Sequence, residues 1–394
     1  TENQTLSGTL FSTFRDNYEL RPFGILTENS ILYGSRWKYN NHINSKLSIA
    51  VGGEFSIENY ENTTIDQEDR VPTELTSFND QKRRNINVFA ESLWQLSSRF
   101  KLIGGLNFSK LRYSLSDLFR NNGDQSGNYE FNAIFSPRLF AGFQITEDHH
   151  VYTQLSHGFS APSVEETLTQ DGLINNDIQP EKGLNYEVGF KGRFGNSGLS
   201  YQLNGYQMNV TNLLVARRTA EDQFIGINAG ETSHRGLEIE LNYYKSFNQF
   251  YIKPFMNFSF NSIKFIDFVD LEEDFSGNKL PGIPDFVSNM GVHFNANNGI
   301  QLTAILRSVG AMFLRDDNVL ESDNYHLLNL KVRYQKDFGK LDFNIDAGIN
   351  NVLDTRYASQ VLINAGSFGG RAPRYFYPGN PINYFTNISL QYRF

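Results

Sequence analysis

The chain ends on an unbroken alternation, and that pattern constrains the fold more than any other feature. Tyr384, Thr386, Ile388, Leu390, Tyr392 and Phe394 fall on one face, and Asn383, Phe385, Asn387, Ser389, Gln391 and Arg393 on the other. A period of two is the mark of a β-strand with one apolar and one mostly polar side. The same pattern recurs upstream. Leu341, Phe343, Ile345, Ala347 and Ile349 alternate with Asp342, Asn344, Asp346, Gly348 and Asn350, and Leu328, Leu330, Val332 and Tyr334 alternate with Asn329, Lys331, Arg333 and Gln335. Near the start, Leu47, Ile49, Val51, Phe55 and Ile57 alternate with Lys46, Ser48, Ala50, Glu54 and Ser56.

A soluble sandwich also alternates, so length and spacing decide. Segments 31–39, 45–60 and 99–116 exceed the roughly 5–6 residues usual in globular strands and reach the roughly 9–11 of a tilted membrane strand. Connections alternate too. Short polar turns fall near 40–44, 97–99, 146–150, 195–198, 245–249, 295–299 and 336–340, with longer segments between them near 58–82, 116–129, 161–181, 211–224, 263–284, 309–325 and 354–382. Short turns on one side and long loops on the other are how transmembrane barrels are built. The expected fold is an all-β, antiparallel transmembrane β-barrel with about 16 strands present, the first near residues 6–14. Residues 1–394 read as one barrel domain, and the last strand finishes on the short-turn, periplasmic side.

Composition fits. The chain has 34 Phe and 20 Tyr in 394 residues with a mean hydropathy of −0.43, because a barrel strand offers only alternate side chains to lipid. No run approaches the roughly 20 apolar residues of a spanning helix. Without cysteine there is neither disulfide nor thiolate metal site. A net charge of −8 disfavours nucleic acid as a partner. Thr1 opens the chain without a leader, so upstream residues are expected.

Five motifs then stand in order. They are Gly158-Phe159-Ser160-Ala161-Pro162 with Glu165; Asn176 to Glu181 with Asn185-Tyr186-Glu187-Val188-Gly189-Phe190-Lys191; Asn228-Ala229-Gly230 with Gly236-Leu237-Glu238; Asn350-Asn351-Val352-Leu353-Asp354-Thr355-Arg356-Tyr357; and Pro378-Gly379-Asn380-Pro381 running to Phe394. Together they resemble the barrel of TonB-dependent outer-membrane receptors, over about the last 240 residues. Ser160 and Ile382 stand where that family's pattern has Arg. The resemblance implies a barrel of 22 strands around an N-terminal plug, so the chain reads as the C-terminal portion of one, with the plug and its TonB box absent. It implies TonB-dependent uptake of a scarce nutrient, a ferric siderophore or other iron chelate by default, in the outer membrane of a Gram-negative bacterium. The implied partners are the TonB complex acting through the missing plug, the barrel-assembly machinery reading Tyr392 and Phe394 as a C-terminal signal, and outer-membrane lipid with lipopolysaccharide. A passive porin, which needs no plug, is the alternative.

No P-loop, H-E-x-x-H, G-x-S-x-G or G-x-G-x-x-G motif occurs, so neither an enzyme nor a cofactor is expected. His149-His150 sits in a short turn without a third ligand, and Glu272-Glu273-Asp274 lacks calcium-loop spacing, so no metal site is assigned. Arg217, Arg218, Arg371 and Arg374 lie in expected outer loops, where guanidinium groups suit an anionic chelate or lipopolysaccharide phosphates. Phe368, Tyr375 and Tyr377 are placed to stack on a flat ligand or to cap the rim. On the polar face, Arg36, Lys38, Lys191, Arg193, Lys331 and Arg333 would pair with plug residues or line a wet wall.

Overall fold

The computed structural model describes residues 3–21, 24–162, 178–220, 223–270, 272–367 and 370–394. About three quarters of them are strand. The first part of the chain carries β1 (Gln4–Arg21), β2 (Gly24–Asn44), β3 (Leu47–Glu68), β4 (Val71–Gln95), β5 (Phe100–Asp117) and the short β6 (Gly127–Glu130). The middle carries β7 (Ile134–Gln144), β8 (His149–Ser160), β9 (Glu181–Arg193), β10 (Leu199–Ala220) and β11 (Gln223–Tyr243). Then follow β12 (Lys245–Ser246), β13 (Phe250–Asp267), β14 (Val269–Asp270), β15 (Glu273–Asp274), β16 (Phe286–Ala296), β17 (Ile300–Val309), β18 (Tyr325–Asp337), β19 (Leu341–Asn350), β20 (Ala358–Val361), β21 (Phe376–Pro378) and β22 (Asn383–Tyr392). Leaving aside β6, β12, β14, β15, β20 and β21, sixteen strands of ten residues or more remain among the described residues.

Three boundaries differ from expectation. The first strand is longer than residues 6–14. Residues 58–82 are not a loop: β3 and β4 continue as a hairpin closed by Asp69 and Arg70, both at positive φ. Residues 211–220 and 223–224 likewise belong to β10 and β11. Beyond the bilayer both faces of a strand are hydrated, so the apolar contrast that marks a strand in sequence disappears while the ladder hydrogen bonds persist.

The chain divides into two compact units. In the first (Thr1–Ala141, Gln154–Asn185 and Val210–Ala229), β1 to β5 pair antiparallel in succession. One face brings apolar partners opposite each other, Tyr33 with Ile57, Phe55 with Ile86 and Val88 with Phe108. On the other face Glu28, 7% exposed, accepts hydrogen bonds from Arg15 at 2.5 Å, Asn17 at 2.8 Å and Tyr60 at 2.5 Å. Arg36 pairs with Glu54, and Arg83 with Glu58. A small apolar core of Tyr129, Phe131 and Ile178, with Leu111, Tyr113 and Leu214 against it, fills one end of this unit.

In the second unit (Gly142–Thr153, Tyr186–Asn209 and Gly230–Phe394), β11, β13, β16, β17, β18, β19 and β22 follow one another antiparallel. Leu302 opposes Val332, Tyr334 opposes Ile345, and Phe343 opposes Leu390, so one apolar stripe crosses these strands. These side chains do not enter a packed interior: Leu330 and Val332 are 38% and 40% exposed, Leu390 and Tyr392 64% and 54%. The opposite face is polar, with Arg333 and Lys331 on Asp346 at 2.7 and 3.0 Å and Arg193 on Asp148 at 2.6 Å. Arg36, Arg193, Lys331 and Arg333 therefore find carboxylates within the sheet.

Several glycines on the polar faces lie beneath aromatic rings on the neighbouring strand. Gly34 opposes Phe11, Gly52 opposes Phe89, Gly291 opposes Phe255, and Gly348 opposes Phe385. A Cβ at Gly348 would lie 2.4 Å from the Phe385 ring. The ring covers the backbone that glycine leaves bare, a device that pins strand pairing.

The accessible surface is 24,087 Å² for a 45.1 kDa chain. A globular monomer of that mass has roughly 15,700 Å². Large apolar side chains without a protein partner contribute to the excess, among them Leu10, Phe14, Leu330 and Leu390, and in water an apolar patch beyond a few hundred Å² is already unusual. Hydrocarbon is the medium that makes such a face stable.

Candidate functional site

The long connections of the second unit build one interlocked cluster. Residues 268–285, 310–324 and 351–382 each contribute an asparagine that bonds a neighbouring segment. Asn278 donates to the Asp316 carbonyl at 2.8 Å. Asn318, at φ +56°, accepts from the Lys279 amide and donates to its carbonyl, both at 2.8 Å. Asn364 donates to the Asp316 carboxylate at 2.8 Å and accepts from its amide at 3.1 Å. Asparagine tolerates the left-handed backbone and offers both donor and acceptor, which is why this residue type sits at the crossings. Leu314 is fully buried beneath. Burial raises the Asp316 carboxyl above the usual aspartate range; the Asn364 amide opposes that, while Asp270 and Asp317 reinforce it.

The motif at 350–357 is a second crossing. Asn351, 3% exposed and at φ +50°, donates to the Thr355 and Asn380 carbonyls at 2.9 and 3.1 Å and accepts from the Thr355 amide at 2.9 Å. Asp354 accepts from the Ile382 amide at 3.0 Å, and Thr355 donates to the His326 carbonyl at 2.8 Å. A Cβ at Gly379 would meet the Tyr357 ring at 2.2 Å. The fourth and fifth sequence motifs thus clamp each other, and the clamp aims Arg356 and Tyr357. In the first unit, Asn228 plays the same part, accepting from the Gln179 amide at 2.7 Å and donating to the carbonyls of Gln179 and Asn212, both at 2.8 Å. Glu181 accepts from the Leu214 amide at 2.7 Å. These motif residues act on backbone groups; they are fasteners.

Between the loop 310–324 and the β20–β21 hairpin lies a cleft of about 330 Å³. Met312, Val361 and Phe376 supply apolar lining, Tyr325 and Tyr357 stand with ring centroids 5.2 Å apart, and Asp323 and Arg356 bring opposite charges. Arg356 is exposed and makes no ion pair among the described residues. An unpaired guanidinium beside two phenols and a phenyl ring suits a ligand that is planar in part and anionic in part.

None of the site residues singled out from sequence is among those that line this cleft. Phe368 lies outside the described residues. Arg217 and Arg218 lie on β10, but their side chains are not described. Arg371 and Arg374 are exposed, and Tyr375 accepts from the Leu362 amide through its carbonyl at 2.9 Å. Tyr377 pairs with Gln360; its neighbours Phe376 and Pro378, one residue either way along β21, line the cleft. Tyr392 and Phe394 remain exposed, with rings edge-to-face at 5.3 Å. His149 bonds the Tyr201 hydroxyl at 3.0 Å and packs on Phe194. Among the described residues no group of three metal-ligating side chains occurs. Asp323, Tyr325 and Arg356 were missed as site residues because only the fold joins positions 30 apart. In the sequence Arg356 stands out only as part of the motif at 350–357.

Comparison with known proteins agrees with this architecture. The pesticin receptor of Yersinia enterocolitica is 22% identical over 93% of this chain and 56% of its own length. The ferrichrome outer membrane transporter/phage receptor of Escherichia coli is 24% identical over 54% of this chain and 28% of its own. The chain therefore spans about half the length, or less, of these curated relatives. Among solved structures, the ferric yersiniabactin uptake receptor of Yersinia pestis superposes with a TM-score of 0.71 at 18% identity, covering 99% of this chain and 58% of that one. The ferric citrate transporter FecA gives 0.76 at 14% identity, covering 99% and 59%. Residues 2–352 match the family described as TonB dependent receptor-like, beta-barrel. With strands, apolar face and motif clamps in agreement, the chain belongs to that family of TonB-dependent receptor β-barrels.

Proposed function

We propose that this chain is the wall of an outer-membrane receptor that imports a ferric siderophore or another iron chelate, with the TonB complex acting through a plug supplied outside residues 1–394. The observation that carries the reading is the cleft: a rigid, hydrogen-bonded loop cluster presents the unpaired Arg356 beside Tyr325, Tyr357 and Phe376. Arg371, Arg374 and Tyr377, exposed on the same hairpin loop, would make first contact with an anionic ligand, and Phe368, Arg217 and Arg218 extend that set. Relatives described as receptors for iron chelates support the cargo class. The chain would sit in the outer membrane with its C-terminus in the periplasm, be inserted by the barrel-assembly machinery through Tyr392 and Phe394, and contact lipopolysaccharide. No catalytic step is assigned to it.

The test uses the full receptor gene in a strain grown on single ferric chelates. Deletion should abolish growth on one of them, and Arg356→Ala should weaken binding of that chelate by about tenfold, the usual order for one charge-assisted hydrogen bond. Uptake that does not saturate and survives loss of TonB would leave the porin reading instead.

A further inference from the structure

The apolar face of the first unit ends abruptly in cations. Along β4 the outward positions run Trp94, Ser92, Ala90, Val88, Ile86 and then Arg84 and Lys82; along β5 they run Leu102, Gly104, Leu106, Phe108 and then Lys110 and Arg112. Arg84 and Arg112 are directly opposite in the register, and Lys110 is opposite Ile86. Like charges facing each other across a strand pair are unfavourable unless an anion lies between them. One carboxylate is present: Glu130 accepts from Lys110 at 2.8 Å and is bonded by Arg112. Lys82 and Arg84 make no ion pair among the described residues. The patch therefore keeps a positive surplus where the apolar surface stops. Asp80 and Glu61, opposite each other, lie one step further along, beyond the cations as seen from the apolar belt.

The height fits a membrane boundary. Trp94 to Arg84 is ten residues, which at about 3.3 Å per residue and about 40° of tilt rises about 25 Å, the height of an outer-membrane apolar band. With Trp94 in the periplasmic aromatic girdle, Arg84 and Lys110 stand at the outer headgroup level. The second unit repeats the order on β11, where Leu241, Ile239 and Leu237 are followed on the same face by the exposed Arg235.

We propose that Lys82, Arg84, Lys110 and Arg112 form a binding site for the phosphates of lipopolysaccharide lipid A, whose acyl chains lie against Ile86, Val88, Leu106 and Phe108. This deepens the outer-membrane reading above and rests on it. Guanidinium groups bind phosphate oxygens by paired, charge-assisted hydrogen bonds. The second phosphate of lipid A and its multiple acyl chains match a site with four cations over a broad apolar strip, whereas a phospholipid offers one phosphate.

The experiment measures lipid retention by the purified intact receptor in detergent, by native mass spectrometry, with three probes: bis-phosphorylated lipid A, its dephosphorylated form, and phosphatidylglycerol. Wild type should hold bis-phosphorylated lipid A most tightly. Arg84→Gln with Arg112→Gln should weaken that binding by about a hundredfold, about tenfold for each guanidinium, while Lys38→Gln on the polar face leaves it unchanged. Equal retention by wild type and double variant overturns the site. So does equal binding of dephosphorylated lipid A, and equal binding of phosphatidylglycerol reduces the patch to a general anionic-lipid surface, which overturns the assignment to lipid A. Heat-modifiable migration monitors folding; should the double variant misfold, Arg84→Gln alone, which leaves the Arg112–Glu130 pair intact, carries the test with a tenfold loss expected. Failure of the membrane reading itself looks different: the wild-type chain then enters no liposome of any composition.

Discussion

Replacing Asn351 by alanine should loosen the clamp at the end of β19 without unfolding the wall. The side chain makes three hydrogen bonds, to the Thr355 carbonyl and amide and to the Asn380 carbonyl. At about 1 kcal/mol net for each, their loss costs about 3 kcal/mol. Alanine must also hold the φ of +50° seen here, which adds about 1 kcal/mol. The sum, about 4 kcal/mol, corresponds to about a thousandfold rise in the opening equilibrium. Hydrogen exchange resolved by residue reads this directly: the Thr355, Gly379 and Ile382 amides should exchange about a thousandfold faster, while amides within β18 and β19 keep their protection. Asn351→Gly separates the two contributions, since glycine removes the hydrogen bonds but tolerates the backbone conformation, and it should recover about fivefold of the effect. If the Thr355 amide changes by less than about fivefold in the alanine variant, the motif does not fasten this loop and the reasoning about the clamp is wrong.

Three further outcomes follow from the same geometry. Gly348→Ala should destabilise by about 1–3 kcal/mol through collision with Phe385, and adding Phe385→Ala should restore part of it in a double-mutant cycle; additive losses would deny that the two meet. Val332→Arg on the apolar face should cost about 2–4 kcal/mol in a bilayer, whereas Asn344→Arg on the polar face should cost little; equal unfolding midpoints for the two would remove the lipid-facing assignment. The Asp316 carboxyl is raised by burial, so its neutral form is the one the folded loops favour: the cluster gains stability as pH falls below the folded value, and loses it as pH rises from the ordinary aspartate value through the raised one. Asp316→Asn should flatten that dependence, measured as exchange of the Asn364 amide across acidic pH, and an unchanged pH profile in the variant would locate the titration elsewhere.

What sequence reveals here tracks where lipid imposes a contrast. The alternation of Leu328 to Tyr334, Leu341 to Ile349 and Tyr384 to Tyr392 reappears as the apolar stripe, interrupted only by Thr386, because hydrocarbon disfavours charged and strongly polar side chains at those positions. Residues 58–82 look like a loop in sequence for the converse reason: Glu61, Asn62 and Thr64 stand in a hairpin whose pairing leaves no mark in composition. The motifs were legible as a family signature, yet their work was not. Asn228, Asn351 and Asp354 satisfy backbone groups, something that no periodicity reports. The cleft was least visible of all. Asp323, Tyr325, Arg356 and Phe376 come from separate segments, and only the crossing asparagines bring them to one place.

The rings seated on glycines give the wall a mechanical property. Sliding β22 along β19 by two residues would keep every side chain on its own face, so neither greasiness nor polarity opposes it strongly. It would, however, drive the benzene ring of Phe385 from the vacant spot at Gly348 onto Asp346 or Asn350. The ring works as a peg in a notch, and Phe255 at Gly291 repeats it. Because the obstruction is one of volume, it resists shear equally in fresh water and in brine, which the ion pairs alongside cannot do.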